Sequence, residues 1–207
     1  MHVEFLVEEP STEAALAELL PGIFERRATW AIHVHQGKTD LMTKLPGRLQ
    51  GYARWLPAEW YIVVIVDEDR EDCLALKLRM EEAARAAGLS TRGQRAPGGR
   101  VQVVNRIAVE ELEAWFFGDV PALRAAYPGV PDSLDHKRGF RDSDAIAGGT
   151  WEALERVLQQ AGYYRGGLPK IEAARAIARH MRPDRNRSRS FCCFHSALVN
   201  LLTAPAA

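Results

Sequence analysis

Residues 60–66, WYIVVIV, constrain the fold of this chain more than any other stretch. An unbroken apolar run, rich in β-branched residues, has no wet face to alternate with. It suits a strand covered on both sides, the place of a central strand in a parallel sheet. The run is far too short to span a bilayer. It stops at Asp67-Glu68-Asp69. Three other segments read as strands: residues 2–7 (HVEFLV), ending in Glu8-Glu9-Pro10; residues 29–35 (TWAIHVH); and residues 101–104. Helical patterns fill the gaps. The first contains AALAELL, with Ser11 or Thr12 as cap and Glu13 in its acid-favouring first turn. The second starts at Asp40, is weak at Pro46 and Gly47, and reaches Trp55. The third covers residues 71–87 and is closed by Gly88. Strand and helix alternate throughout, which predicts an α/β fold: about four mainly parallel strands, flanked by helices and joined by right-handed crossovers.

After Asn105 the pattern becomes helical, with stretches at 110–117, 121–127, 151–161, 169–182 and 190–202, broken by a loop at 129–149. We therefore divide the chain into an α/β core (1–120) and a C-terminal helical extension packed on it (121–207). The 207 residues suffice for such a core, and 47% hydrophobic with 26% charged is an ordinary globular composition. Lys plus Arg equals Asp plus Glu, so overall charge gives no pull towards nucleic acid; local basic clusters must supply it. Cys73, Cys192 and Cys193 are too few for a disulfide framework, and the last two read as buried helix residues. The N-terminus lacks a basic segment and turns acidic early, unlike a signal peptide. These features predict a cytoplasmic protein without a membrane span.

In an open parallel sheet, ligands collect beyond the carboxyl ends of the strands where strand order reverses. Glu8 ends the first strand; Asp67 and Asp69 follow the most buried one. Residues i and i+2 of an extended segment share a side, so Asp67 and Asp69 can face one spot. If the first and third strands are neighbours, the three carboxylates converge. Crowded anions repel and are costly to desolvate. A hard cation relieves both, and magnesium binds through a few carboxylates and substrate phosphate.

FLVEEPSTEAAL resembles the first motif of Toprim domains, a strand ending in Glu, and VIVDEDRED resembles the second, a strand-terminal DxD. More closely, VEEPSTEAAL, VDEDREDC, NRIAVEELEAWFFGD, GLPKIEAARAIARHM and PDRNRSRSF resemble a bacterial Toprim-like family of unknown function. Its members often stand beside ATPases in defence-type loci. The resemblance implies that Glu8 is a metal ligand or general acid/base, and that Asp67 and Asp69 bind Mg²⁺ or Mn²⁺. It also implies an ATPase partner. Glu9 departs from the Gly usual after the Toprim Glu, which would allow positive φ or close backbone approach.

Glu111 and Glu113 are the nearest further carboxylates for a second ion; a solvated helix face explains them as well. Lys170 opens a late helix and can face a phosphate. Arg182, Arg185, Arg187 and Arg189 form the densest basic run, suited to phosphates, to a solvated loop, or to an interface that pairs with the acidic centre. The expected function is a magnesium-dependent nuclease acting on DNA or RNA phosphodiesters, within an anti-phage or mobile-element defence system. The rival is a non-enzymatic or conditionally active subunit docked on an ATPase. A phosphoacceptor receiver domain fits poorly, because Val104-Asn105 offers no Ser or Thr where that site needs one. Homo-oligomerisation is left open.

Overall fold

The computed structural model describes residues 1–94 and 99–203. Its strands are β1 (His2–Val7), β2 (Thr29–Val34), β3 (Trp60–Asp67) and β4 (Val103–Ala108). Its α-helices are α1 (Pro10–Phe24), α2 (Lys38–Ala53), α3 (Cys73–Ala86), α4 (Glu113–Phe117), α5 (Val120–Ala126), α6 (Thr150–Gln160), α7 (Lys170–Ala178) and α8 (Arg189–Thr203), with three short 3-10 turns between α5 and α6. The sheet is parallel throughout, in the order β2-β1-β3-β4. The chain leaves β1 for β2 on one side and returns to β3 on the other. The order therefore reverses between β1 and β3, so Glu8 and Asp67 stand at the switch point. No helix among the described residues is long and apolar enough to cross a membrane.

Side-chain alternation sorts the sheet into two faces. Val3, Phe5, Val7, Tyr61, Val63 and Ile65 face one core; Leu6, Ile62, Val64 and Val66 face the other. The second core is closed by Leu41, Leu45 and Leu49 of α2 and Leu76, Met80 and Ala84 of α3, spaced so that each helix turns one stripe to the sheet. The first core is larger. It combines α1 with helices α4 to α8, so residues as distant as Val3 and Leu201 share it. Trp115 is wholly buried there. It stacks on Phe194 at 5.0 Å, meets Phe191 edge-on, and donates from Nε1 to Ser190 Oγ at 3.0 Å. A buried aromatic of this size contributes several kcal/mol of apolar burial and ring contact, and its polar tip is satisfied.

Several local expectations are corrected. Glu9, not Ser11 or Thr12, is the N-cap of α1, and both hydroxyl residues are buried inside the helix. The second helix does run through Pro46, as expected, and Pro21 likewise lies within α1; tertiary packing outweighs the single hydrogen bond each removes. Asp72 caps α3, its Oδ1 accepting from Ala75 N at 2.7 Å. The fourth strand runs on to Ala108, through the polar Asn105 and Arg106. Cys192 and Cys193 are exposed, not buried.

Candidate functional site

β1 and β3 end side by side, with Val7 opposite Ile65. Glu8 Oε2 accepts the backbone N–H of Asp67 at 3.1 Å, which clamps the two strand ends together. Asp67 continues the face of Val63 and Ile65, so its carboxylate enters the larger core; it is only 7% exposed. No hydrogen-bond donor among the described residues reaches that carboxylate. Burial, and then the negative charges of Glu8, Glu113, Glu9 and Asp69, push its pKa well above the ordinary value. Glu8 is raised too, by burial first and by Asp69 and Glu9, against the opposing pull of the Asp67 N–H.

Glu113 opens α4 and is buried as deeply as the apolar residues that follow it. Burial pushes its pKa up to about 7, although the Lys170 ammonium nearby opposes the shift. Glu111 is used differently. Its Oε2 accepts from Thr150 Oγ1 and Trp151 N, both at 2.9 Å, and so fastens the first turn of α6.

Lys170 belongs to this cluster rather than to the arginine run. Its ammonium lies 4.9 Å from the centre of the Trp151 ring, half-sheltered at the start of α7. Burial works against its charge, but Glu113, Glu9, Glu111 and Asp67 together raise its pKa. Glu9 itself is extended, at φ −147, and accepts from Ser11 Oγ at 2.5 Å. The backbone here therefore needs no glycine.

Asp69 does not share a side with Asp67 by strand alternation. The chain leaves the extended conformation there, at φ +52. Asp69 Oδ2 lies 2.5 Å from Lys38 Nζ, which also donates to the Glu68 carbonyl at 2.9 Å and stands 3.4 Å from Glu71. Lys38 sits in the first turn of α2, and sequence reasoning passed it over because nothing local links it to a loop so much further along the chain. His35, just after β2, was also missed. Its Nδ1 lies 3.1 Å from the Val7 carbonyl, while its buried Nε2 has no partner among the described residues.

The arginines lie elsewhere, and each has an acidic partner. Arg185 forms a two-pronged pair with the wholly buried Asp119, at 2.8 and 3.1 Å. Arg182 pairs with Asp184, Arg187 with Asp135, and Arg189 with Asp142.

Among the described residues no three His, Cys, Asp or Glu side chains are already arranged to hold a metal ion. The donor chemistry nevertheless fits a hard cation: several carboxylates and a buried, unpartnered Asp67 at the sheet's switch point. The burial of Glu113 has a stability consequence. Its folded pKa is raised, so the penalty for ionising it is absent below the unfolded pKa and complete above about 7. Glu113→Gln is expected to stabilise the metal-free protein by roughly 1–2 kcal/mol at pH 8, since the buried amide still lacks good partners. Urea unfolding should show the gain disappear near pH 4. A gain that persists at pH 4 would show that the Glu113 charge is not its source.

No curated protein and no solved structure matches the chain. Residues 7–201 match one family model, so the stretch that carries Glu8, Asp67, Glu113 and Lys170 is the family's own: the chain belongs to the domain of unknown function DUF4276.

Proposed function

We propose that this protein is a Toprim-like, Mg²⁺- or Mn²⁺-dependent nuclease that hydrolyses DNA or RNA phosphodiesters. One observation carries the reading. Asp67 is buried at the switch point with no hydrogen-bond donor among the described residues, and Glu8, Glu113, Glu9 and Asp69 surround it. Lys38 and Lys170 offset only part of this negative charge, and the remainder is stable only with protons or a further cation. Glu8, Asp67 and Asp69 would hold the ion. Glu113 is the better candidate for a second, because Glu111 is occupied at α6. A bound divalent ion polarises a phosphate and lowers the pKa of its water. The chain's own residues do the rest. Glu8 holds the strand ends in register through the Asp67 N–H. Lys170 brings a positive charge to the acidic edge, suited to the charge that develops on a phosphate. We assign the protein to the cytoplasm, where exposed thiols such as Cys192 and Cys193 stay reduced, and give it an ATPase partner within a defence system.

Isothermal calorimetry tests the site. Wild-type protein is expected to bind Mg²⁺ or Mn²⁺ with a Kd between roughly 10⁻⁶ and 10⁻³ M, the range for a few carboxylates without a full cage. Asp67→Ala combined with Asp69→Ala should remove that binding. Equal binding by both proteins would place the ion elsewhere.

The subunit reading has one observation on its side. Leu74 and Leu78, one turn apart on α3, are 80% and 57% exposed. The C-terminal helices expose only Ile171 among their large apolar side chains in the described residues.

A further inference from the structure

A cavity of about 160 Å³ opens at the end of α4 remote from Glu113. Phe117, Val120 and Phe140 give it an apolar wall, the two Phe rings 5.3 Å apart. Arg141, Arg185 and Arg187 also line it. Each guanidinium is held along one edge and keeps donors on another. Arg185 spends Nε and Nη2 on Asp119, with a weaker bond from Nη2 to the His180 carbonyl, leaving Nη1 without an acceptor among the described residues. Arg187 uses Nη1 on Asp135 at 2.8 Å, leaving Nε and Nη2. Arg141 uses Nε on the His136 carbonyl at 3.2 Å, leaving both Nη.

The loop that carries two of these arginines is fastened at every step. Arg182 N donates to Asp119 Oδ2 at 2.8 Å, Asn186 Nδ2 to the Trp115 carbonyl at 2.8 Å, Arg187 N to the Gly118 carbonyl at 2.9 Å, and Ser188 Oγ to Asp144 Oδ1 at 2.7 Å. The loop lies so close to Gly118 that a Cβ there would come within 2.2 Å of Asn186 Oδ1. A loop that only solvated its charges would not need this. Arg185 is fixed on the buried Asp119, Arg187 reaches the cavity from this fastened backbone, and guanidiniums with unused donors suit a tetrahedral oxyanion, to which Arg is the best-matched side chain. Counting Asp135 and Asp119, the three arginines leave one net positive charge.

We propose that this cavity binds a phosphomonoester, with the phosphate on Arg141, Arg185 and Arg187 and the attached carbon skeleton against Phe117 and Phe140. The volume admits a phosphate with little more than a sugar. A terminal phosphate of a nucleic-acid strand and a small free phosphoester share that chemistry. Glu113 and Phe117 are about 6 Å apart along the helix axis, so a strand end seated here would run beside the acidic centre. That last step rests on the nuclease reading; the phosphate site does not.

The test uses the whole protein in chelator, without divalent ions. Calorimetry is run with inorganic phosphate, with a 5′-phosphorylated single-stranded oligonucleotide, and with its 5′-hydroxyl form. Inorganic phosphate is expected to bind, and the double variant Arg141→Gln, Arg187→Gln to weaken it about tenfold or more; both side chains are exposed, so the fold is spared. A phosphorylated strand that binds at least tenfold tighter than its hydroxyl form assigns the site to strand ends. Equal strand affinities with phosphate binding intact assign it to small phosphoesters. Absence of phosphate binding, or binding unchanged in the double variant, overturns the proposal. Glu8→Gln with Asp67→Asn should bind phosphate like wild type, so failure of the metal centre is read separately.

Discussion

Glu8→Gln combined with Asp67→Asn is expected to abolish metal-dependent cleavage of nucleic acid, by on the order of 10³-fold or more, while the fold stays intact. Both changes keep the shape of the side chain and remove its charge. The amide oxygen introduced by Glu8→Gln can still accept the Asp67 N–H that Glu8 Oε2 now holds, so the clamp between the strand ends survives. Stability of the metal-free protein should hold or rise at pH 7, and the sign follows from the shifts. Both folded pKa values are raised. The penalty for their charge is therefore absent below the unfolded carboxylate range, near pH 4, and grows as pH rises towards the folded values. The melting temperature of the variant should exceed that of wild type at pH 7 and approach it at pH 4. Cleavage must be assayed with the proposed ATPase partner present as well as without it. A complex that cuts equally well with the double variant removes the nuclease reading and leaves the subunit reading.

Arg185→Ala is expected to cost about 3 kcal/mol of stability, whereas Arg187→Ala and Arg189→Ala should each cost about 1 kcal/mol or less. The three arginines look alike in sequence but have different partners. Asp119 is wholly buried, and removing Arg185 strands its carboxylate with only the backbone N–H groups of Ala122 and Arg182. Arg187 and Arg189 are largely exposed, in pairs that water can replace. Chemical denaturation of the three single variants checks this. Equal losses would mean that the Arg185–Asp119 pair is not the anchor of the loop. The same contrast governs binding studies: a triple arginine variant that loses nucleic acid would confound a damaged fold with lost phosphate contacts.

The parallel sheet could be read from residues 60–66 because a strand covered on both faces has one simple signature. The fourth strand was legible too, at residues 101–104, but its run on to Ala108 was not, since Asn105 and Arg106 break the apolar pattern. The strand keeps its place because Asn105 and its carbonyl are met by Glu81, Lys77 and Arg106. The second helix was legible through Pro46 because local preference is a weak prior once a helix face is packed. At the site, Glu8 and Asp67 were legible as strand ends on neighbouring strands. The position of Asp69 was not, because a left-handed residue breaks the alternation on which its placement rested. Lys38, His35 and the shared surroundings of Lys170 and Glu113 depend on elements far apart in the chain, which periodicity cannot bring together.

The shared core has a consequence for synthesis. β1, β3 and β4 present Val3, Phe5, Val63, Ile65 and Val104 to helices that are translated much later. Some 95 residues separate the end of β4 from the end of α8. At the pace of a ribosome that is roughly 5–20 s during which one sheet face is made but has only α1 to cover it. The nascent chain is then adhesive. Such a chain is a natural client for a chaperone that shields apolar strands.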